Sequence, residues 1–312
     1  MINICFMGNP KFAVQTLDIL YNDENIDVKL VVSSPDKKRN RGKVTPTEIK
    51  KYAQEKGIEV VCPKTVNTKE FVESLKDLEI DFIVVVAFGQ LIGKDLLEAY
   101  EDRIINLHPS LLPLYRGASP MQFTLLNGDK ITAATTMLIE KGMDSGDILI
   151  QEEVEIKDDD NYTSLEEKLS EIGSKAVRES ILNYDKLYEN RRKQDASKAT
   201  FCTKITKEMG KIDWNKSSAE ILNQIRAFVE YPTSYFSYED KNIKVYDAEI
   251  ATGFEQRPAY VYEANAKAGI VIGTKDGAIR LKKIQAPGKK AMDVKAFLMG
   301  NSFKEKISLE DE

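Results

Sequence analysis

The chain has 312 residues, 42% apolar and 30% charged, which is enough for two domains with buried cores and unlike the composition of a disordered segment. No apolar run approaches the roughly 18 residues of a membrane span. The three cysteines (Cys5, Cys62, Cys202) form no C-x-x-C pair, so structural zinc, a disulfide framework and a membrane partner are not expected, and a cytoplasmic location is.

Net charge is −5, which argues against indiscriminate binding to nucleic acid or anionic lipid. The single histidine, His108, excludes multi-histidine metal sites, so no metal is expected, and it confines imidazole chemistry near neutral pH to one position. Taken alone, a lone histidine reads as a surface or core residue.

The first half alternates short apolar runs with amphipathic segments, the pattern of a parallel sheet flanked by helices. Residues 2–6 predict the opening strand. It leads into Gly8-Asn9-Pro10, where Asn9 suits a helix cap and Pro10 a first turn. Ala13, Leu17 and Leu20 then share one helical face. Apolar runs at 30–32, 60–61 and 82–87 predict further strands, the last apolar on consecutive residues as in a central parallel strand. Residues 104–108, Ile-Ile-Asn-Leu-His, predict a strand that ends in a proline-containing turn. Ligands of open α/β sheets bind beyond the carboxyl ends of the strands, which places Asn106 and His108 at the expected mouth.

Two more strands are predicted at 132–139 and 148–156, and one long helix at 165–188 with Gly173 as its weak point. Residues 191–198 have no apolar period and read as an exposed connector. Beyond it, a short helix at 219–228 and strand-like pieces at 244–246, 259–262, 269–272 and 278–281 suit a small β-barrel.

The densest chemical signal is Asn106-Leu107-His108-Pro109-Ser110-Leu111-Leu112-Pro113-Leu114-Tyr115-Arg116-Gly117. In an extended strand Asn106 and His108 point to the same side, which sets an amide donor beside an imidazole. Pro109 and Pro113 stiffen the following loop, leaving Ser110, Leu111 and Leu112 to offer backbone groups and an apolar wall to a flat ligand. A second string, Gly142-Met143-Asp144-Ser145-Gly146-Asp147, reads from spacing alone as an acidic hairpin. A carboxylate brought from it to His108 would orient the ring and raise its basicity.

Together, 106–117 and 142–146 resemble the signature of the folate-dependent formyltransferase family, whose members use 10-formyltetrahydrofolate as formyl donor. The resemblance implies that Asn106, His108 and Asp144 are catalytic and that Ser110, Leu111, Leu112 and Pro113 bind the folate. Five further strings resemble the branch of that family that formylates methionyl-tRNA: Gly8-Asn9-Pro10-Lys11-Phe12, Arg41-Gly42-Lys43 with Pro46, Lys211-Ile212-Asp213-Trp214, Ile225-Arg226-Ala227-Phe228 with Pro232, and Gly288-Lys289-Lys290-Ala291-Met292.

The implied fold is a Rossmann-like, mostly parallel α/β formyltransferase domain at 1–190, a linker at 191–206 and a smaller OB-like β-barrel at 207–312 that binds tRNA. The implied partners are initiator methionyl-tRNA and the folate donor, with the protein acting as a monomer. Two departures stand out: Pro109 occupies a position where a small residue is common, and the stretch from Gly42 to Pro46 is short.

An enzyme acting on tRNA needs a cationic track, and the acidic average hides one. Residues 274–306 carry nine Lys and Arg against Asp276, Asp293 and Glu305, and 37–43 form a second basic cluster. Arg41, Lys43, Lys289 and Lys290 are the candidate tRNA contacts; lysine runs are otherwise ordinary solvated surface. The alternatives are a formyltransferase acting on a small amine, such as glycinamide ribonucleotide or an amino sugar nucleotide, and a non-catalytic folate- or RNA-binding protein on the same scaffold. A dinucleotide cofactor is disfavoured because no G-x-G-x-x-G follows the first strand.

Overall fold

The alternating pattern folds as β1 (Ile2–Gly8), α1 (Val14–Tyr21), β2 (Ile26–Val32), the short strands β3 (Lys37–Arg39) and β4 (Lys43–Thr45), α2 (Glu48–Lys56), β5 (Val60–Val61), α3 (Lys69–Asp77), β6 (Phe82–Val86), α4 (Lys94–Ala99), β7 (Ile104–His108) and β8 (Arg116–Gly117). After α5 (Pro120–Asn127) come β9 (Ile131–Leu138), β10 (Ile148–Glu155), α6 (Tyr162–Leu182), α7 (Tyr184–Glu189) and β11 (Phe201–Cys202). The computed structural model describes residues 1–39 and 43–309. Arg41 lies outside the described residues, as does the side chain of Lys43.

Two compact units result, the first made of Met1–Pro120, Ile131–Glu155 and Glu166–Cys202, the second of Met121–Lys130, Ile156–Leu165 and Thr203–Glu312. The first unit holds a seven-stranded sheet in the order β10-β9-β7-β6-β1-β2-β5. β5, β2, β1, β6 and β7 are parallel, and β9 and β10 are added antiparallel. Every residue of β6 and β7 is buried, which is why β6 reads as an unbroken apolar run rather than an alternating one, while β7 buries Asn106 and His108 among Ile104, Ile105 and Leu107. On one face, Val72 and Leu75 of α3 and Leu96 of α4 pack with Cys5, Met7, Ile83 and Val85.

Glycine in a helix normally weakens it, yet α6 runs unbroken through Gly173. A side chain there would meet Leu107 Cδ1 and Cδ2 at 2.8 Å, so the glycine lets the helix lie close on β7, one residue before His108.

Three local expectations are corrected. Asn9 does not cap a helix: its Nδ2 donates to the Phe88 carbonyl, and its Oδ1 accepts from Ser33 Oγ (3.0 Å) and the Ser34 nitrogen (2.8 Å), tying together the carboxyl ends of β1, β2 and β6. The helix expected at 165–188 is two helices, interrupted at Asn183 (φ −115°, ψ 29°). Residues 191–202 are exposed for much of their length but belong to the first unit. Arg192 bridges to Ile148, and β11 pairs with β8 in parallel.

The second unit contains α8 (Ser218–Ala227), β12 (Ser234–Tyr238), β13 (Lys241–Ala251), β14 (Val261–Asn265), β15 (Gly269–Gly273), β16 (Ala278–Gln285), β17 (Met292–Asp293) and α9 (Val294–Gly300). Its antiparallel sheet has the order β12-β13-β16-β15-β14, with β17 added on β16. Trp214, Ile221 and Ile225 pack with Phe236, Val245, Ile270, Ile279 and Phe297 in one core. Strand β12 is not among the strands expected from sequence because two of its five residues are serine, although its buried positions Ser234, Phe236 and Tyr238 do alternate.

Candidate active site

Strand β7 runs in register with Val85 of β6 on one side and with Met137 and Thr135 of β9 on the other, which fixes Asn106 and His108 at its carboxyl end. Both are buried, at 8% and 4% exposure. Among the described residues the Asn106 amide has no hydrogen-bond partner, so its donors and acceptor remain available to a ligand.

His108 is held from both ring nitrogens. Nε2 lies 2.9 Å from the Tyr115 carbonyl, and Nδ1 lies 3.8 Å from Asp144 Oδ2. A carbonyl oxygen only accepts, so Nε2 carries a proton and Nδ1 is the nitrogen whose protonation can change beside the carboxylate. Asp144 Oδ2 also accepts from the Gly117 nitrogen at 2.8 Å. The structure therefore joins the two motifs, 106–117 and 142–147, through Asp144.

The loop between them is braced from the segment that reads in sequence as a connector. The Thr200 hydroxyl accepts from the Tyr115 nitrogen at 2.8 Å, its carbonyl accepts from the Arg116 nitrogen at 2.9 Å, and Cys202 Sγ donates to the Tyr115 carbonyl at 3.4 Å. Gly117, at φ 122°, sits where a side chain would be 2.2 Å from the Cys202 carbonyl; only glycine lets the two strands meet there. Gln194 contacts Arg116 and the backbone of Asp144 and Gly146. No motif in the sequence marks Gln194, Thr200 or Cys202, since their contacts are made across 48 to 87 residues of chain.

The residues expected at the folate divide into two pairs. Ser110 is fully buried, with its hydroxyl donating to Leu114 O (2.6 Å) and its carbonyl accepting from Thr135 (2.7 Å). Leu112 packs with Met137 and Ile148, and its carbonyl accepts from Gln151 at 3.0 Å. These two build the loop. Leu111 and Pro113 are only half-buried and keep apolar surface for a ligand.

In the second unit, Lys289 and Lys290 are exposed in the turn between β16 and β17. Other members of that basic stretch are spent on carboxylates: Arg280 on Glu249 and Glu263, Lys282 on Asp247 and Glu249, and Lys304 on Glu239. Among the described residues no helix is long and apolar enough to cross a membrane.

The pattern of the formyl transferase family matches residues 2–181, and that of the formyl transferase C-terminal domain matches 204–302. A methionyl-tRNA formyltransferase of Finegoldia magna is 40% identical over 98% of this chain and 99% of its own. One of Halothermothrix orenii is 38% identical over 97% and 98%. Among solved structures, an N-formyltransferase of Helicobacter canadensis, in complex with folinic acid and dTDP-3-aminofucose, covers 92% of this chain and 100% of its own with a TM-score of 0.66. At 23% identity that likeness shows the shared fold. With both family patterns matched and relatives so similar over almost the full length, the chain belongs to the methionyl-tRNA formyltransferase family.

Proposed function

We propose that Asn106, His108 and Asp144 carry the reaction of this family, transfer of the formyl group of 10-formyltetrahydrofolate to the free amine of initiator methionyl-tRNA, giving formylmethionyl-tRNA for translation initiation. The observation that supports this most is the buried His108, paired with a half-buried Asp144, beside an unpartnered Asn106 at the carboxyl end of β7. The chain acts as a cytoplasmic monomer, the first unit, with 191–202, performing the chemistry and 207–312 of the second holding the tRNA.

In this reading the amine nitrogen attacks the formyl carbon, a C–N bond forms and the carbonyl oxygen becomes an oxyanion. The Asn106 amide and the Nδ1–H of protonated His108 donate to that oxygen, a role in which losing one donor costs about 2.7 to 4 kcal/mol. Asp144 accepts the proton from the attacking amine, directly or through water. Collapse breaks the bond from the formyl carbon to the folate nitrogen, which leaves with a proton returned from the His108–Asp144 pair. No enzyme nucleophile is needed. Leu111 and Pro113 contact the folate through side chains, whereas Ser110 and Leu112 shape the loop that presents them. Arg41, Lys43, Lys289 and Lys290 contact tRNA phosphates.

The test offers the purified chain 10-formyltetrahydrofolate with methionyl-tRNA, glycinamide ribonucleotide or an amino sugar nucleotide. Turnover with methionyl-tRNA alone is expected. Equal or better kcat/KM with a small amine would move the assignment to that acceptor, and binding without turnover would make the protein a non-catalytic binder.

A further inference from the structure

Gln194 stands between α7 and β11, and its carboxamide is used on every side. Oε1 accepts from Arg116 Nε at 3.0 Å and Nη2 at 2.8 Å, while Nε2 donates to the Asp144 carbonyl at 2.9 Å and the Gly146 carbonyl at 2.8 Å. A guanidinium only donates and a carbonyl only accepts, so the contact set allows one orientation of the amide.

Arg116 is buried at 7% exposure, and its Nε and Nη2 both donate to Gln194 Oε1. Its fork meets a neutral amide whose opposite end faces the Asp144 loop. Asp144 has φ 47°, a left-handed conformation that costs a residue with a side chain free energy and persists only when its surroundings hold it. Two contacts do so: the Gln194 N–H on its carbonyl and the Gly117 N–H on its Oδ2.

We propose that Gln194 is a positioning residue for Asp144, turned by the Arg116 guanidinium so that its amide clamps the 144–146 backbone and thereby sets the carboxylate against His108. The inference rests on the catalytic reading of Asp144 given above. A Gln194 that served only to satisfy buried Arg116 would leave the geometry at His108 to other contacts.

The isosteric Gln194→Glu separates these roles. It keeps, and strengthens, the contact with Arg116, but it turns an acceptor toward the Asp144 and Gly146 carbonyls in place of a donor. The measurements are kcat and KM for both substrates, the melting temperature, and the NMR signal of the imidazole in tag-free protein, where His108 supplies the one histidine resonance.

The expected result is a kcat lowered about 100-fold, the scale of a roughly 1 Å misplacement, with KM for 10-formyltetrahydrofolate unchanged and the imidazole resonance displaced. If the glutamate variant does not fold, Gln194→Met is read in the same way, since it removes the donors without placing a charge against the loop. Asp144→Asn is assayed beside them. Wild-type kcat and an unmoved imidazole in the Gln194 variant, with Asp144→Asn inactive, overturn the inference and leave the catalytic reading standing. A lowered melting temperature with unchanged kcat also overturns it. Full activity of Asp144→Asn removes the catalytic reading, and the inference with it.

Discussion

His108 Nε2 stands 2.9 Å from the Tyr115 carbonyl oxygen, and this contact decides which nitrogen of the chain's one imidazole is free to exchange a proton. Because the carbonyl holds a proton on Nε2, acid–base change is left to Nδ1, the atom that faces Asp144 across 3.8 Å. Tyr115 adopts φ 58° and is held there by Thr200 and Cys202, so a peptide carbonyl rather than a second side chain orients the ring.

His108→Ala and Asp144→Asn are each expected to lower kcat by about 100- to 10,000-fold, the range for loss of a positioned acid or base. Folding should be retained, because Asn at 144 can still accept from the Gly117 nitrogen. Single-turnover formylation with saturating folate checks this, and a variant with near-wild-type turnover would end the proposed role of the substituted residue.

Gly117→Ala should damage both stability and turnover. The added methyl would lie 2.2 Å from the Cys202 carbonyl, and the φ of 122° is one that residues with side chains rarely adopt. A loss of about 1 to 3 kcal/mol is expected from backbone strain. Urea unfolding gives the stability, and hydrogen exchange across 115–119 and 200–202 shows whether β8 and β11 have separated.

The second unit contains the single tryptophan, Trp214, buried in its core, so its unfolding can be followed by fluorescence without signal from the first. Ser217 and Glu220 form a reciprocal capping box at the start of α8. Ser217→Ala should destabilise the Trp214 transition by about 1 kcal/mol. Circular dichroism reporting mostly on the first unit should change less than Trp214 fluorescence does.

Alkaline pH should destabilise the protein. Burial raises the thiols of Cys5 and Cys202 above their ordinary value of 9.0, and burial first of all pushes the phenols of Tyr100 and Tyr184 up from 10.0 to about 12. Above those ordinary values the unfolded chain has released protons that the folded chain still binds. Stability therefore falls as pH rises through 9.0 and goes on falling toward 12. Urea midpoints at pH 8, 9 and 10 give the sign, and a midpoint that rises across this series would contradict it.

Lys289 and Lys290 are proposed tRNA contacts. Lys289→Ala with Lys290→Ala should weaken methionyl-tRNA binding and reduce the slope of log affinity against log salt by about 1 for each phosphate that is no longer neutralised. KM for the folate donor should stay the same. A selective loss of folate binding would show that this turn serves the other substrate.

Much of the fold is legible along the chain. A strand buried on both faces reads as an unbroken apolar run, which marks β6, and the apolar Ile104, Ile105 and Leu107 mark β7, where the period of two places Asn106 and His108 on one side without knowledge of any contact. Asn9 misleads because a helix cap is a local guess, whereas its real partners, Phe88 and Ser33, lie 79 and 24 residues away. Residues 191–202 mislead for a related reason: the segment is held by the polar side chains of Gln194 and Thr200, which bond inward to Tyr115, Arg116 and Asp144, and inward polar contacts leave no hydrophobic period.

What the sequence by itself determined was the chemistry on offer: one imidazole, an amide two residues before it on the same side of a strand, and an acidic loop between two glycines. Tertiary structure alone decided how these are used. It brought Asp144 to His108 across 36 residues of chain, set the ring proton on Nε2 through a backbone carbonyl, and turned Gln194 into a clamp. A pattern of residue types carries the period of its own strand or helix, but a hydrogen bond between distant loops depends on the packing of every element between them.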